Sequence, residues 1–174
     1  PEPLKMEGLS YDDPKGLANV VHMDFPSDAP RAFARWLLRK GANVRKHTRN
    51  HINFLESVPY VEEQITDGTK KALNNAFEAK YYFGLARPEE VYESMHNIPG
   101  PLLTHYPEGC PNHPSYPAGH GAAVAGGIMA VINEFVLDDD DIQVGLNTAY
   151  VWAMARSLAR VHHAIDNVAG LVIG

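Results

Sequence analysis

Apolar positions recur along much of this chain with the period of an α-helix. The first such stripe lies between residues 33 and 38. Ser27 or Asp28 can cap a helix at this point, with Pro30 in the first turn and Gly41 at the place of a C-terminal glycine. We therefore predict a helix that ends at Gly41.

The middle of the chain predicts three further helical segments. A short helix over 51–58 is followed by a longer apolar segment that opens at Pro59 and runs to Tyr81. The Thr-Asp-Gly sequence at 66–68 is expected to interrupt this segment. Pro88-Glu89-Glu90 is typical of the acidic first turn of another short helix.

The last third of the chain has the clearest helical pattern, and it predicts helices over 119–136, 140–161 and 165–173. We find no apolar–polar alternation long enough to indicate a sheet, and no internal repeat. The prediction is an all-α fold, a helical bundle forming one domain over 1–174. Residues 1–30, rich in proline and without a sustained period, are expected to be an irregular arm.

Composition narrows the class of protein. With 174 residues, 45% of them hydrophobic and 21% charged, the chain is typical of one soluble globular domain. No apolar run is long enough for a membrane span, and a net charge of −6 argues against nucleic-acid binding. A single cysteine, Cys110, excludes an internal disulfide framework.

Localisation and assembly follow less directly from the same features. No basic segment followed by an apolar one is visible at the start, as a signal peptide would require. We expect a soluble protein whose compartment the sequence leaves unknown, with the cytoplasm slightly favoured. A bundle of this length leaves helix faces uncovered, and we therefore expect a homo-oligomer.

Three short segments carry polar residues that a helical core does not need. They are Lys80-x6-Arg87-Pro88, Pro117-Ala118-Gly119-His120 and Arg156-x5-His162-x3-Asp166. Seven residues make almost two helical turns, which predicts Lys80 and Arg87 on one helix face, about 10 Å apart along the axis. The second segment begins a helix, where free N–H groups favour an anion.

This set of side chains suits a tetrahedral oxyanion with several negative charges. Arginine can pair with two oxygens at once, and lysine supplies a point charge. One histidine can attack or bind the central atom while a second transfers a proton on the other side. A carboxylate hydrogen-bonded to the first histidine would fix its tautomer.

In their order and spacing the three segments resemble the signature of the type 2 phosphatidic acid phosphatase and vanadium-dependent haloperoxidase superfamily. The resemblance covers residues 80–166, about half of the chain. It implies a helical bundle of that type and an active site that holds phosphate or vanadate. The implied roles are oxyanion binding by Lys80, Arg87, Arg156 and the Gly119 amide, nucleophile or vanadium ligand for His162, acid/base for His120, and orientation of His162 by Asp166.

Two details refine the resemblance. The superfamily commonly has serine where this chain has Ala118 and Ala155, which removes a hydroxyl donor to the oxyanion at Ala118. His113 stands seven residues before His120, as a second histidine does in vanadium bromoperoxidases, and is expected to tune peroxide protonation or halide approach. His163 does not fit the spacing and is expected to be structural.

The resemblance therefore favours a vanadate-dependent haloperoxidase that oxidises bromide or iodide with hydrogen peroxide. An acid phosphatase that hydrolyses phosphomonoesters through a phosphohistidine at His162 is the alternative, because the chain length suits a small phosphatase. A non-catalytic phosphate-binding module is a third reading, which Ala118 keeps open.

Overall fold

The computed structural model describes residues 28–45, 54–96 and 112–174. Over these ranges the chain forms six α-helices and no β-strand, apart from an isolated bridge between Val44 and Phe135. The helices are α1 (Asp28–Lys40), α2 (Phe54–Phe83), α3 (Pro88–His96), α4 (Gly119–Glu134), α5 (Asp139–Leu158) and α6 (Ala164–Ile173). The all-α prediction is confirmed for the described residues.

Helix α1 follows its predicted signals. It begins at Asp28, carries Pro30 in its first turn, and is followed by Gly41 with φ of +86°, a left-handed conformation that glycine adopts without a steric penalty. The prediction of an irregular arm over 1–30 is wrong at its end, because Asp28–Pro30 form the first turn of α1. Residues 1–27 of that arm lie outside the described residues.

Helix α2 is one continuous helix where the sequence predicted two helices and a break. Pro59 lies inside it, as its sixth residue, and 66–68 continue it without interruption. A proline at the sixth position lacks only the N–H that would donate to the second residue of the helix and crowds that residue's carbonyl, so its effect is confined to the first two turns. The predicted start at residue 51 lies outside the described residues.

The three C-terminal helices are confirmed with small shifts at their ends. Helix α5 stops at Leu158, three residues before the predicted end. Arg160 has φ of +61°, a left-handed conformation that turns the chain out of the helix. This early exit decides where the last polar segment lies.

Helix α4 is the centre of the bundle and packs against α1, α2, α5 and α6. Its small residues allow this, because ten of its sixteen positions are buried and most of those are glycine or alanine. The largest apolar side chains of the core surround it: Phe33, Leu37, Ile65, Val124, Ile128, Val131 and Phe135. Helix α3 buries none of its residues.

Among the described residues, no helix combines the length and the apolar character that crossing a membrane requires.

Helices α2 and α4 approach most closely at Gly68 and Gly126. A Cβ at Gly126 would lie 2.5 Å from Cβ of Ala72 and 2.6 Å from the carbonyl oxygen of Gly68. Gly68, which the sequence suggested as a break, is therefore a packing residue: the absence of a side chain lets the two backbones touch.

We expect Gly126→Ala to lower the free energy of unfolding by about 1–3 kcal/mol, because the new methyl group meets backbone atoms that cannot move aside cheaply. This cost opposes the gain of about 1 kcal/mol that alanine normally brings to a helix. Urea denaturation measures the change, with Met129→Ala on the exposed side of α4 as the control. Equal or higher stability of Gly126→Ala would contradict this packing.

Candidate active site

The C-terminal end of α2 is tied to the loop that precedes α4. Lys80 is completely buried in the last turn of α2, and its Nζ donates hydrogen bonds to the carbonyl oxygens of Pro114 (2.7 Å) and Ser115 (2.8 Å). The backbone N–H of Ser115 donates to the carbonyl of Leu85 at 2.7 Å. The first and second polar segments are therefore joined through backbone groups of the loop.

Arg87 does not share a helix with Lys80, and the prediction that both lie on one helix face is wrong. Helix α2 ends at Phe83, and Gly84 follows with φ of +60°. Arg87 also precedes Pro88, a position where the α conformation is disfavoured. The turn nevertheless returns Arg87 to the vicinity of Lys80, whose pKa its positive charge helps to lower.

The guanidinium of Arg87 connects three parts of the chain and is 2% exposed. Its Nε donates to the carbonyl oxygen of His113 (3.1 Å), Nη2 lies 3.1 Å from Nδ1 of the same histidine, and Nη1 donates to the carbonyl of Val161 (2.7 Å). The His113 ring also packs edge-on against Phe77, with ring centres 5.2 Å apart. Burial lowers the pKa of His113, as do the charges of Lys80 and Arg87.

Arg156 lies in the last turn of α5, where the helix end is closed by two backbone hydrogen bonds. The N–H of Val161 donates to the carbonyl of Arg156 (3.2 Å), and that of Arg160 to Ser157 (3.0 Å). This is the Schellman arrangement, with Arg160 in the left-handed position. It turns the chain back so that His162 follows close behind the buried Arg156.

His162 is buried beside Asp166 and Ser115. Its Nδ1 lies 3.3 Å from Oδ2 of Asp166 and 3.2 Å from Oγ of Ser115, and the Ser115 hydroxyl donates to the same Oδ2. A carboxylate oxygen only accepts hydrogen bonds, so Nδ1 of His162 carries the proton and Nε2 the lone pair. Burial lowers the pKa of His162 to about 4 despite the opposing effect of Asp166.

Ser115, His162 and Asp166 are the residue types of a serine-hydrolase triad, but their geometry differs from one. In that triad the serine and the carboxylate lie on opposite nitrogens of the imidazole. Here both lie on Nδ1, and the serine is fully buried, with its hydroxyl donating a hydrogen bond to Oδ2 of Asp166. Ser115 is therefore not arranged as a nucleophile.

Asp166 also holds the ends of two helices. Its Oδ2 accepts from the N–H of His163, the N-cap residue of α6, at 2.9 Å, and its carbonyl oxygen accepts from the N–H of Ala118 at 2.8 Å. Burial would raise the pKa of Asp166, but the hydrogen bonds from His162, Ser115 and the His163 amide bring it below its usual range. The residue is therefore a carboxylate at neutral pH.

The N-terminus of α4 has no side-chain cap and no acidic residue in its first turn. Ala118, the N-cap residue, is fully buried. A Cβ at Gly119 would lie 3.6 Å from Cε of Lys80, which places the first turn of α4 beside the lysine side chain. The positive end of the helix dipole therefore adds to the positive charge of Lys80.

His120 is surrounded by positive charge. Burial lowers its pKa to about 3, and Arg156, His162, His113 and Lys80 contribute to the same effect. At neutral pH the imidazole is therefore uncharged. The three polar segments, separated along the sequence, thus meet in one region of the fold.

Three cationic side chains are buried in this region. Lys80, Arg87 and Arg156 are all at most 4% exposed, and Asp166 is the carboxylate that influences the pKa values of Lys80 and His162. Burial, followed by the charge of Arg87, lowers the pKa of Lys80 to about 8. An anion bound here would relieve the repulsion between these cations.

The described residues contain no group of three or more histidine, cysteine, aspartate or glutamate side chains suited to a metal cation. A bound oxyanion instead requires hydrogen-bond donors and positive charge around it. Lys80, Arg87 and Arg156 supply buried positive charge of this kind.

Ser115 is the residue of this region to which the sequence assigned no role. It stands between His113 and Pro117, inside the proline-rich stretch, and nothing about its spacing distinguishes it from other serines. Only the folded loop, held by Lys80, brings its hydroxyl to Asp166.

Comparisons with protein-family models, with curated proteins and with solved structures each gave no match for this chain. The functional interpretation therefore depends on the residues and geometry of the site.

We expect His120→Gln to make the stability of the protein less sensitive to acid. An unfolded histidine titrates near pH 6.5, whereas His120 in the folded chain titrates near 3. Between these values the unfolded state binds a proton that the folded state does not, so the free energy of unfolding falls as the pH falls.

Removing His120 should reduce that slope by about 1 kcal/mol per pH unit between pH 6 and pH 4. Urea denaturation at several pH values, in buffer without phosphate or vanadate, measures the slope. His96→Gln, at an exposed position of α3, is the matched control. Parallel curves for wild type and His120→Gln would disprove the expected burial of a neutral His120.

Proposed function

We propose that this chain is a vanadate-dependent haloperoxidase that oxidises bromide or iodide with hydrogen peroxide, and that its bundle is of the phosphatidic acid phosphatase and haloperoxidase type. The observation that carries the proposal is buried positive charge around an oriented histidine. Lys80 and Arg87 are buried close enough to His162 to help lower its pKa, and the buried Arg156 acts in the same way on His120. Nδ1 of His162 faces Asp166. A multiply charged oxyanion satisfies such a set of residues better than any neutral ligand.

Some of these residues would bind vanadate through their charge, and others through hydrogen bonds. Lys80 and Arg87 already donate to backbone carbonyls of the loop and of Val161, so we assign them chiefly an electrostatic role. Arg156 and the Gly119 amide would donate to the oxygens directly. The lone pair of Nε2 in His162 would bind the central atom, since Nδ1 is the protonated nitrogen.

Bound vanadate would act as a Lewis acid that makes hydrogen peroxide susceptible to attack by a halide ion. The chain's own contribution is to manage protons and charge. Asp166 keeps the proton of His162 on Nδ1 and stabilises positive charge on that ring. His120, uncharged at neutral pH, would take up the proton that hydrogen peroxide loses.

His113 is what ranks the two enzymatic alternatives, because it stands seven residues before His120, as a second histidine does in vanadium bromoperoxidases. Its Nδ1 lies 3.1 Å from Nη2 of Arg87, in the same region as the buried cations. The haloperoxidase is therefore the first candidate.

An acid phosphatase is the second candidate, because the same donor set suits phosphate as well as vanadate. His162, with its Nε2 lone pair and Asp166 behind it, has the arrangement expected of a nucleophile that forms a phosphohistidine. The negative charge of a bound phosphate would also raise the pKa of His120 towards the range where it can act as an acid.

We expect His162→Ala to abolish vanadate-dependent bromination of a phenol-red-type dye, because the variant lacks the nitrogen that binds the central atom. The same preparations should be assayed without vanadate on p-nitrophenyl phosphate. His96→Ala removes an exposed histidine and is the matched control.

Vanadate-dependent bromination in wild type, its loss in His162→Ala and its retention in His96→Ala support the haloperoxidase. Hydrolysis without vanadate that is lost in the same variant supports the phosphatase. Bromination that persists at the wild-type rate in His162→Ala would exclude the assigned ligand. Turnover in neither assay, with phosphate still bound, would leave only a phosphate-binding module.

We expect Ala118→Ser to tighten the binding of inorganic phosphate and of vanadate about tenfold, since a hydroxyl hydrogen bond to a charged group contributes about 1.5–3 kcal/mol. Position 118 is the N-cap of α4 and lies beside the Gly119 amide. Isothermal titration calorimetry measures the affinity, with Ala86→Ser at an exposed position as the control. Unchanged affinity in Ala118→Ser would place the oxyanion away from the start of α4.

A further inference from the structure

The hydroxyl of Ser115 occupies a position that the proposed function does not use. It is fully buried, it donates to Oδ2 of Asp166, and its Oγ lies 3.2 Å from Nδ1 of His162. Both backbone groups of Ser115 are also held, the N–H by the carbonyl of Leu85 and the carbonyl by Nζ of Lys80. The hydroxyl is therefore fixed with respect to the imidazole.

The direction of the hydrogen bonds follows from the chemistry of the three groups. The carboxylate of Asp166 only accepts, so the single hydroxyl proton of Ser115 points to Oδ2. Oγ of Ser115 can then only accept from Nδ1 of His162. The Nδ1 proton is shared between two acceptors, Oδ2 of Asp166 at 3.3 Å and Oγ of Ser115 at 3.2 Å.

We propose that Ser115 is a positioning residue that acts together with Asp166 to hold His162 in the tautomer with the proton on Nδ1 and the lone pair on Nε2. This role of Ser115 rests on the proposed function in one respect, namely that the Nε2 lone pair of His162 binds the central atom of an oxyanion. Ser115 itself does not contact that atom.

The hydroxyl can be tested separately from the loop that carries it. Lys80 and Leu85 hold the loop through the backbone of Ser115, and a side-chain substitution leaves these hydrogen bonds in place. A change in the His162 tautomer or in oxyanion affinity caused by Ser115→Ala therefore reports on the hydrogen bonds around Asp166 and His162. A merely structural serine would not change the tautomer of a neighbouring histidine.

The first measurement is the tautomer of His162, read from imidazole ¹⁵N chemical shifts of histidine-labelled full-length protein at neutral pH without any oxyanion. In wild type we expect only the Nδ1–H form. Ser115→Ala leaves Nδ1 with one acceptor and should give a measurable population of the Nε2–H form. The signals are assigned with His162→Gln.

The second measurement is the affinity for vanadate and for inorganic phosphate by titration calorimetry. Loss of a group that orients a ligand typically costs 10–100-fold in affinity, and we expect about a tenfold weakening in Ser115→Ala. Ser115→Cys, which keeps the side-chain size but bonds weakly, should behave like Ser115→Ala and replaces it if the alanine variant does not fold. Ser115→Thr keeps a hydroxyl and should restore both properties.

Ser157→Ala is the matched control. The hydroxyl of Ser157 accepts a hydrogen bond at 2.7 Å from Asn167, the residue after Asp166, and not from His162. Ser157→Ala should leave the His162 tautomer and the affinities for vanadate and phosphate unchanged. The inference is wrong if Ser115→Ala and Ser115→Cys keep the wild-type tautomer, or if Ser157→Ala alters it equally.

The two measurements separate this inference from the proposed function. If wild type binds neither oxyanion but Ser115→Ala still changes the tautomer, the proposed function fails and the role of Ser115 stands. If wild type binds vanadate and Ser115→Ala changes neither the tautomer nor the affinity, only the role of Ser115 fails.

Discussion

The carboxylate of Asp166 is the constraint on which the rest of the site depends. One of its oxygens accepts hydrogen bonds from the Ser115 hydroxyl, from His162 and from the His163 amide, while its carbonyl oxygen holds the N-terminus of α4. A buried carboxylate is stable only when such donors replace the water it has lost. The requirement fixes the loop before α4, the turn after α5 and the start of α6 with respect to one another.

Positive charge imposes the complementary requirement. Lys80 and Arg87 are buried, and backbone carbonyls of the loop and of Val161 accept hydrogen bonds from their side chains. Carbonyl dipoles satisfy the donors but leave the net charge in place. The region therefore combines a rigid structure with a positive potential, which is the combination that oxyanion chemistry uses.

Much of the fold could be predicted from the sequence because its signals are local. Pro30 in the first turn and Gly41 after the last turn mark α1, and the acidic turn at Pro88 marks the start of α3. The sequence prediction was wrong where a local signal met a long-range contact. Gly68 is typical of a helix break, but its contact with Gly126 makes it part of the interface between α2 and α4. The two glycines are 58 positions apart in the sequence, so no local pattern indicates their contact.

The sequence by itself determined the all-α class of the described residues and, through residue type and spacing, predicted which side chains would bind an oxyanion. The tertiary structure alone decided how they meet. Gly84 returns Arg87 to Lys80 by a turn where the spacing indicated a continuous helix, and the loop brings Ser115 to Asp166. The physical reason is that helix periodicity reports on neighbours within one or two turns, whereas burial of charge and sharing of hydrogen bonds depend on distant segments of the chain.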